Sequence, residues 1–186
     1  MKKITYLLFI SAIVACKQPE NSKKQPENKI STSSAHHPKF LLSEIKLHTF
    51  SDTVKQDTFR LQLTGKSIID SKGLFEITSF NNRKIYSVKF VSEDLLGDMA
   101  DILNAKQKED TIKARFKKFF SESNFNKPTM GSRQELDTDY VVKEDYEDIK
   151  SDTSAVGFTY AMYYESLGEI AWSKKRKKVV FCFGTD

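Results

Sequence analysis

The side chains able to do chemistry are few and scattered. The chain has three histidines, the adjacent pair His36-His37 and the isolated His48. Catalytic zinc needs three protein ligands oriented by supporting hydrogen bonds, and this spacing does not supply them. Within residues 38–186 a Ser-His-Asp or Cys-His arrangement would have one base to draw on, His48. No G-x-S-x-G, H-E-x-x-H, P-loop or G-x-G-x-x-G pattern occurs, so no catalytic, metal-binding or cofactor-binding residue is assigned and no cofactor is expected. Carboxylate chemistry stays open, because Asp and Glu are plentiful and a hydrolase needs only two of them across a cleft.

Two charged stretches are the most conspicuous local features. Lys174-Lys175-Arg176-Lys177-Lys178 could grip anionic head groups or phosphates. The same run also suits a solvated hairpin tip whose lysines keep a sheet edge from pairing with neighbours. It has no interleaved aromatic residue, as a single-strand platform would need, so nucleic acid is not expected as a partner. The second stretch carries Glu135, Asp137, Asp139, Glu144, Asp145, Glu147, Asp148 and Asp152 against Lys143 and Lys150. It lacks the glycine and ligand spacing of a calcium loop. Asp145, Glu147 and Asp148 could face a basic partner, or the stretch could pair internally with Lys113, Arg115, Lys117 and Lys118.

The elements that would position these groups follow from periodicity. Residues 57–64 alternate, with Phe59, Leu61 and Leu63 on one face. Residues 74–79 and 84–91 predict a hairpin around Asn81-Asn82, since Asn tolerates the positive φ of a tight turn. An earlier strand is expected near 44–50. Ser92 suits an N-cap, and Leu95, Leu96, Met99, Ile102 and Leu103 then form a helical stripe. A second helix is expected over 110–121, with Ile112, Phe116, Phe119 and Phe120, and a short one over 142–149. Strands at 156–166, 169–173 and 179–183 close the chain, with turns at Leu167-Gly168 and 174–178. Phe158, Tyr160, Met162 and Tyr164 share one face, the signature of core, whereas Tyr163 faces the other way; with Trp172 this aromatic band is a candidate ligand groove. Strands, helices, then strands predict an α+β domain, an antiparallel sheet with about two helices packed on one face. A β-sandwich with a helical insertion is the alternative.

The chain begins Met1-Lys2-Lys3, followed by a mostly apolar run over residues 4–15 that ends Ile13-Val14-Ala15-Cys16. Twelve helical residues reach about 18 Å, short of a hydrocarbon core of about 30 Å, so the run suits a signal peptide better than a membrane span. The aliphatic residue, tolerant position, small residue and cysteine resemble the lipobox of bacterial lipoproteins. The resemblance covers residues 1–16. It implies cleavage before Cys16, a diacylglyceryl group on its thiol and acylation of the new amine, hence a membrane anchor at Cys16. In such lipoproteins an Asp after the cysteine favours inner-membrane retention; Lys17 carries no such signal, so the outer membrane is the expected location.

The expected organisation is a leader over 1–15, a lipidated Cys16 with a tether to residue 37, and one domain over 38–186. The tether repeats Lys-Gln-Pro-Glu-Asn at 17–21 and 24–28. With a proline in each copy and no apolar seam, it fits a solvated linker. Six of the 30 Lys and Arg and two of the 25 Asp and Glu fall in residues 1–37, so +4 of the net +5 belongs there. Net charge therefore says nothing about the domain's partner. With Cys16 acylated, Cys182 remains as the second of two cysteines, in an apolar run that suits a buried small hydrophobe. The function expected is a non-catalytic protein-binding or assembly module of the cell envelope, with an envelope protein as partner. An envelope hydrolase using carboxylates, or a carrier of a lipid or other apolar ligand, are the alternatives; the carrier would need a sizeable apolar cavity.

Overall fold

The computed structural model describes residues 39–129, 141–162 and 167–185. The leader, Cys16, the tether, His36-His37, Glu135, Asp137, Asp139, Tyr163 and Tyr164 lie outside the described residues. In the first sheet β1 (Phe40–Thr49), β2 (Gln56–Thr64), β3 (Lys72–Thr78) and β4 (Lys84–Val91) follow one another as an antiparallel meander. Asn82, at φ 62°, makes the turn between β3 and β4 that the Asn81-Asn82 pair predicts. Helix α1 (Ala105–Lys118) follows. The second sheet is also antiparallel, β5 (Phe125–Asn126), β6 (Gly157–Ala161), β7 (Leu167–Ser173) and β8 (Lys178–Thr185), with α2 (Lys143–Ser151) between β5 and β6 in the chain. The fold is therefore α+β, as the order of elements predicts, with its strands divided between two sheets. No helix among the described residues is long and apolar enough to cross a membrane.

The two sheets share one core. Phe59, Leu61 and Leu63 of β2, Phe75 and Ile77 of β3, and Phe158 and Ile170 of the second sheet are fully or almost fully buried in it. Helix α1 adds Ile112 and Phe116, and Phe119 follows at its C-cap. At the centre the rings of Phe59 and Phe158 meet edge to face, centroids 5.3 Å apart, and Phe75 lies 5.4 Å from Phe119. Such contacts contribute about 0.5–1.5 kcal/mol each beyond the area they bury. The hydroxyls of Tyr86 and Tyr160, 2.6 Å apart, join the two sheets at the rim of this cluster. The stripe Phe158, Tyr160, Met162 is core, as its spacing predicts.

A smaller cluster lies on the other face of the second sheet. Tyr146 and Ile149 of α2 pack there on Ala171, Val180 and Cys182. Alternate residues of β7 and β8 thus enter different clusters, Ile170 the first and Ala171 the second. The strand is buried from Gly168 to Ala171 without alternation, as expected of a strand covered on both faces.

Three elements differ from the sequence expectation, each for a local reason. Residues 92–103 form short 3-10 turns at Ser92–Leu95 and Gly97–Met99, not an α-helix. Gly97 adopts φ 58°, which breaks the helical path. Ser92 is buried and its hydroxyl donates to the Ile69 carbonyl at 2.5 Å instead of capping a helix. Helix α1 starts earlier than its apolar stripe, because Asn104 and Gln107 form a reciprocal capping box: the Gln107 amide donates to Asn104 Oδ1 and the Asn104 amide to Gln107 Oε1. Leu167 and Gly168 belong to β7 and make no turn. A side chain at Gly168 would stand 2.7 Å from the Phe181 ring, so this glycine provides room for a neighbour.

Candidate functional site

The first sheet buries one face and leaves the other to solvent, where its register builds a groove. Directly paired residues on antiparallel strands project to the same side. Phe40 pairs with Thr64, Thr64 with Lys72 and Lys72 with Val91, a row running across all four strands. The next row holds Gln62, Leu74 and Lys89. Strands about 4.8 Å apart make such a row roughly 14 Å wide. The groove has a volume of about 790 Å³, within the roughly 300–1,000 Å³ of small-molecule sites. Gly73, Phe90 and Asp94 complete its lining.

Two backbone features set its ends. The register of β1 against β2 shifts between Phe40 and Leu42, so two residues of β1 face one of β2. The bulge lets both Leu41 and Leu42 pack on the core while Phe40 moves to the outer face, opposite Thr64. At the other end the chain leaves β4 for the 3-10 turn, and Asp94 accepts a hydrogen bond from the Val91 amide at 2.8 Å. Val91 is 51 % exposed and Phe40 39 %, so the apolar walls are open to an incoming molecule. Lys72 makes no ion pair with another described residue, and its hydrocarbon stem extends the apolar lining while its ammonium stays in water.

The basic run and the acidic stretch, read from the sequence as separate surfaces, come together. The turn between β7 and β8, with Lys177 at φ 53°, brings the basic run against α2. The Arg176 guanidinium donates to Asp145, whose other oxygen lies 3.7 Å from Lys178 Nζ. Lys174 Nζ sits 2.8 Å from Asp152, and Ser173 donates to Asp148 at 2.5 Å. Partial burial opposes ionisation of Asp152, yet Lys174 and Ser154 hold its carboxyl below the usual range. Asp145 is 5 % exposed, so its charge serves this contact and not a partner. Of the residues named from the sequence as an interaction surface, Lys175, Lys177 and Glu147 remain exposed and make no ion pair among the described residues.

Among the described residues, the acidic stretch makes no ion pair with α1. Arg115 instead donates to the Leu95 carbonyl at 2.8 Å, and Lys113 pairs with Glu109 one turn back. His48 stacks on Phe125 with ring centroids 3.9 Å apart, its Nδ1 2.8 Å from the Thr49 carbonyl and its Nε2 3.7 Å from Glu122. It is thus part of the packing between β1 and β5. Cys182 is buried, and burial followed by the nearby Glu169 carboxylate drives its thiol far above the ordinary range. Glu169 is itself buried; Thr129, Thr159 and Asn126 donate to its carboxylate, the last two at 3.1 and 3.2 Å.

The groove was not singled out from the sequence. Leu74 and Val91 occupy outward strand positions two residues after Lys72 and Lys89, and apolar residues at such positions were the available signal. Comparison with protein-family models, curated proteins and solved structures finds no match for this chain.

Proposed function

We propose that this protein is a lipid-anchored, non-catalytic binding module of the bacterial envelope, and that its binding site is the groove on the outer face of the first sheet. One observation carries the choice of site: about 790 Å³ of largely apolar groove on a face that no core needs. It favours a carrier or receptor for an apolar ligand over a protein-assembly module, since much of the charge at the alternative surface is consumed by internal pairs. Hydrolysis by two carboxylates has no support in the groove, where Asp94 is the single acidic residue among those lining it. The Cys16 anchor would hold the domain at the membrane, and a tether of about twenty residues would let it range roughly 25 Å from the surface.

Titration of the full-length Cys16→Ser chain with the neutral apolar dye N-phenyl-1-naphthylamine tests the site. Saturable one-site binding is expected, and Leu74→Trp, which fills the groove from an outward position, should abolish it without lowering Tm. Binding that is absent, or indifferent to Leu74→Trp, would remove the groove as the site. Labelling cells with radioactive palmitate tests the anchor: the native chain should be labelled and Cys16→Ala should not.

A further inference from the structure

We propose that β1 is the interface of a twofold dimer, in which two copies of this chain join edge to edge into one eight-stranded antiparallel sheet. β1 is a ten-residue strand at the end of the first sheet, hydrogen-bonded along one side to β2. In an antiparallel ladder alternate residues turn their N–H and C=O groups away from the neighbour. Among the described residues no backbone group takes up those of β1. Such an edge is a template for another strand. Ile45 and Leu47 stand on its outer face, 57 % and 52 % exposed, so the edge also presents an apolar flank to water. On the inner face Glu44 is half-buried and makes no ion pair with another described residue.

The charge order of β1 selects a second copy as the occupant. Inward-facing charges ordinarily guard a sheet edge against an incoming strand. Here Glu44 and Lys46 are of opposite sign and two residues apart, so the strand complements itself. With Ile45 on a twofold axis normal to the sheet, Glu44 stands directly opposite Lys46 of the second copy, and the pair occurs twice. Moving the axis by one residue sets Glu44 against Glu44 or Lys46 against Lys46, and like charges directly opposed are destabilising. Intermediate positions of the axis would set inner-face residues against outer-face ones. Lys46 already meets Glu122, whose side chain is 70 % exposed. That ammonium need not be free: it carries three donors, and pairing brings it Glu44 as a second carboxylate. On the outer face the same register sets Ile45 against Ile45, and Leu47 against Ser43. Residues 41–49 of the two strands then pair, which supplies about eight backbone hydrogen bonds. The outer faces of the two sheets become continuous, and both grooves open to the same side.

Disulfide trapping in the full-length Cys16→Ser chain reads this register. Cys182 is buried, so an introduced cysteine is the accessible thiol. Oxidised with copper-phenanthroline, Ile45→Cys should run as a dimer on a non-reducing gel, since its two copies face each other with Cβ atoms about 4.5–5.5 Å apart. Leu47→Cys should stay monomeric, because its two copies lie four residues out of register, about 13 Å apart. The Ser43→Cys/Leu47→Cys double variant should dimerise again. Adding Glu44→Lys to Ile45→Cys opposes two pairs of like charges and should lower the dimer yield about fivefold. Association through any other surface would not reproduce this pattern. No trapping at residue 45, equal trapping at 45 and 47, or trapping at 45 that is indifferent to Glu44→Lys overturns the proposal. In intact cells, an Ile45→Cys adduct whose mass is not twice that of the chain would put another protein's strand on this edge and overturn it equally.

Discussion

Asp57 is the residue whose removal should cost the fold most for the smallest change in volume. Its carboxylate is fully buried and accepts three hydrogen bonds. The Ser51 amide donates at 2.5 Å, the Ser51 hydroxyl at 2.9 Å and the Phe80 amide at 2.8 Å. The three donors come from two loops that are distant in sequence, so one side chain holds the connection after β1 against the turn after β3. A hydrogen bond to a charged group contributes about 1.5–3 kcal/mol, and Asp57→Ala removes three. Ser51 and Phe80 are partly exposed, so water recovers some of that loss. We expect a net cost of about 3–5 kcal/mol, large against a total stability of about 5–15 kcal/mol. For a domain of this size that lowers Tm by roughly 10–15 °C. Asp57→Asn keeps the oxygen that accepts from Phe80 and from the Ser51 hydroxyl but turns an amide toward the Ser51 N–H, so it should fall between. Urea unfolding followed by fluorescence of Trp172, the single tryptophan, measures all three proteins. An Asp57→Ala variant within about 0.5 kcal/mol of the native chain would refute the claim that this carboxylate ties the loops together.

Charge reversal separates the structural acids from the exposed one. Asp145→Lys should cost about 2–4 kcal/mol, because it strands Arg176 and Lys178 beside a new like charge, whereas Glu147→Lys should stay within about 0.5 kcal/mol in the same urea assay. Gly157→Ala should cost about 1–3 kcal/mol or more by thermal melting, since a methyl there would stand 2.1 Å from Glu169 Oε1 and Thr129 Oγ1. Cys182 should resist iodoacetamide in the folded chain and react once urea unfolds it. Its thiol also sets a sign for pH dependence. The unfolded chain loses this proton near 9.0 while the folded chain keeps it, so the unfolded state binds fewer protons and stability falls as pH rises above that value. Stability measured between pH 8 and pH 10 should therefore decline, and less so in Cys182→Val.

Alternation and turn chemistry made the first sheet legible. Phe59, Leu61 and Leu63 marked the buried face of β2, and Asn82 marked the turn that fixes the register of β3 and β4. The cooperation between Asn104 and Gln107 was also written locally, but an apolar stripe starting at Ile112 concealed where α1 begins. Residues 92–103 misled because their apolar spacing is helical while Gly97 requires a positive φ, and a backbone angle leaves no trace in hydrophobic periodicity. Gly168 read as a turn for the opposite reason: its role is to admit the Phe181 ring of a strand far along the chain. The pairing of Arg176 with Asp145 joins residues on a turn and a helix, so it depends on how α2 lies on the second sheet and not on spacing. The groove was hidden in the same way. Phe40, Leu74 and Val91 belong to three strands, and only the strand register, with the bulge after Phe40, sets them on one face.

Amide chemical-shift mapping tests the groove most directly. On adding dodecanoate to the isotopically labelled full-length Cys16→Ser chain, the largest perturbations should fall on Phe40, Gln62, Lys72, Leu74, Lys89 and Val91. They should saturate together at one equivalent. Perturbations centred on the 174–178 turn and α2, or spread evenly without saturation, would contradict a ligand site on the outer face of the first sheet.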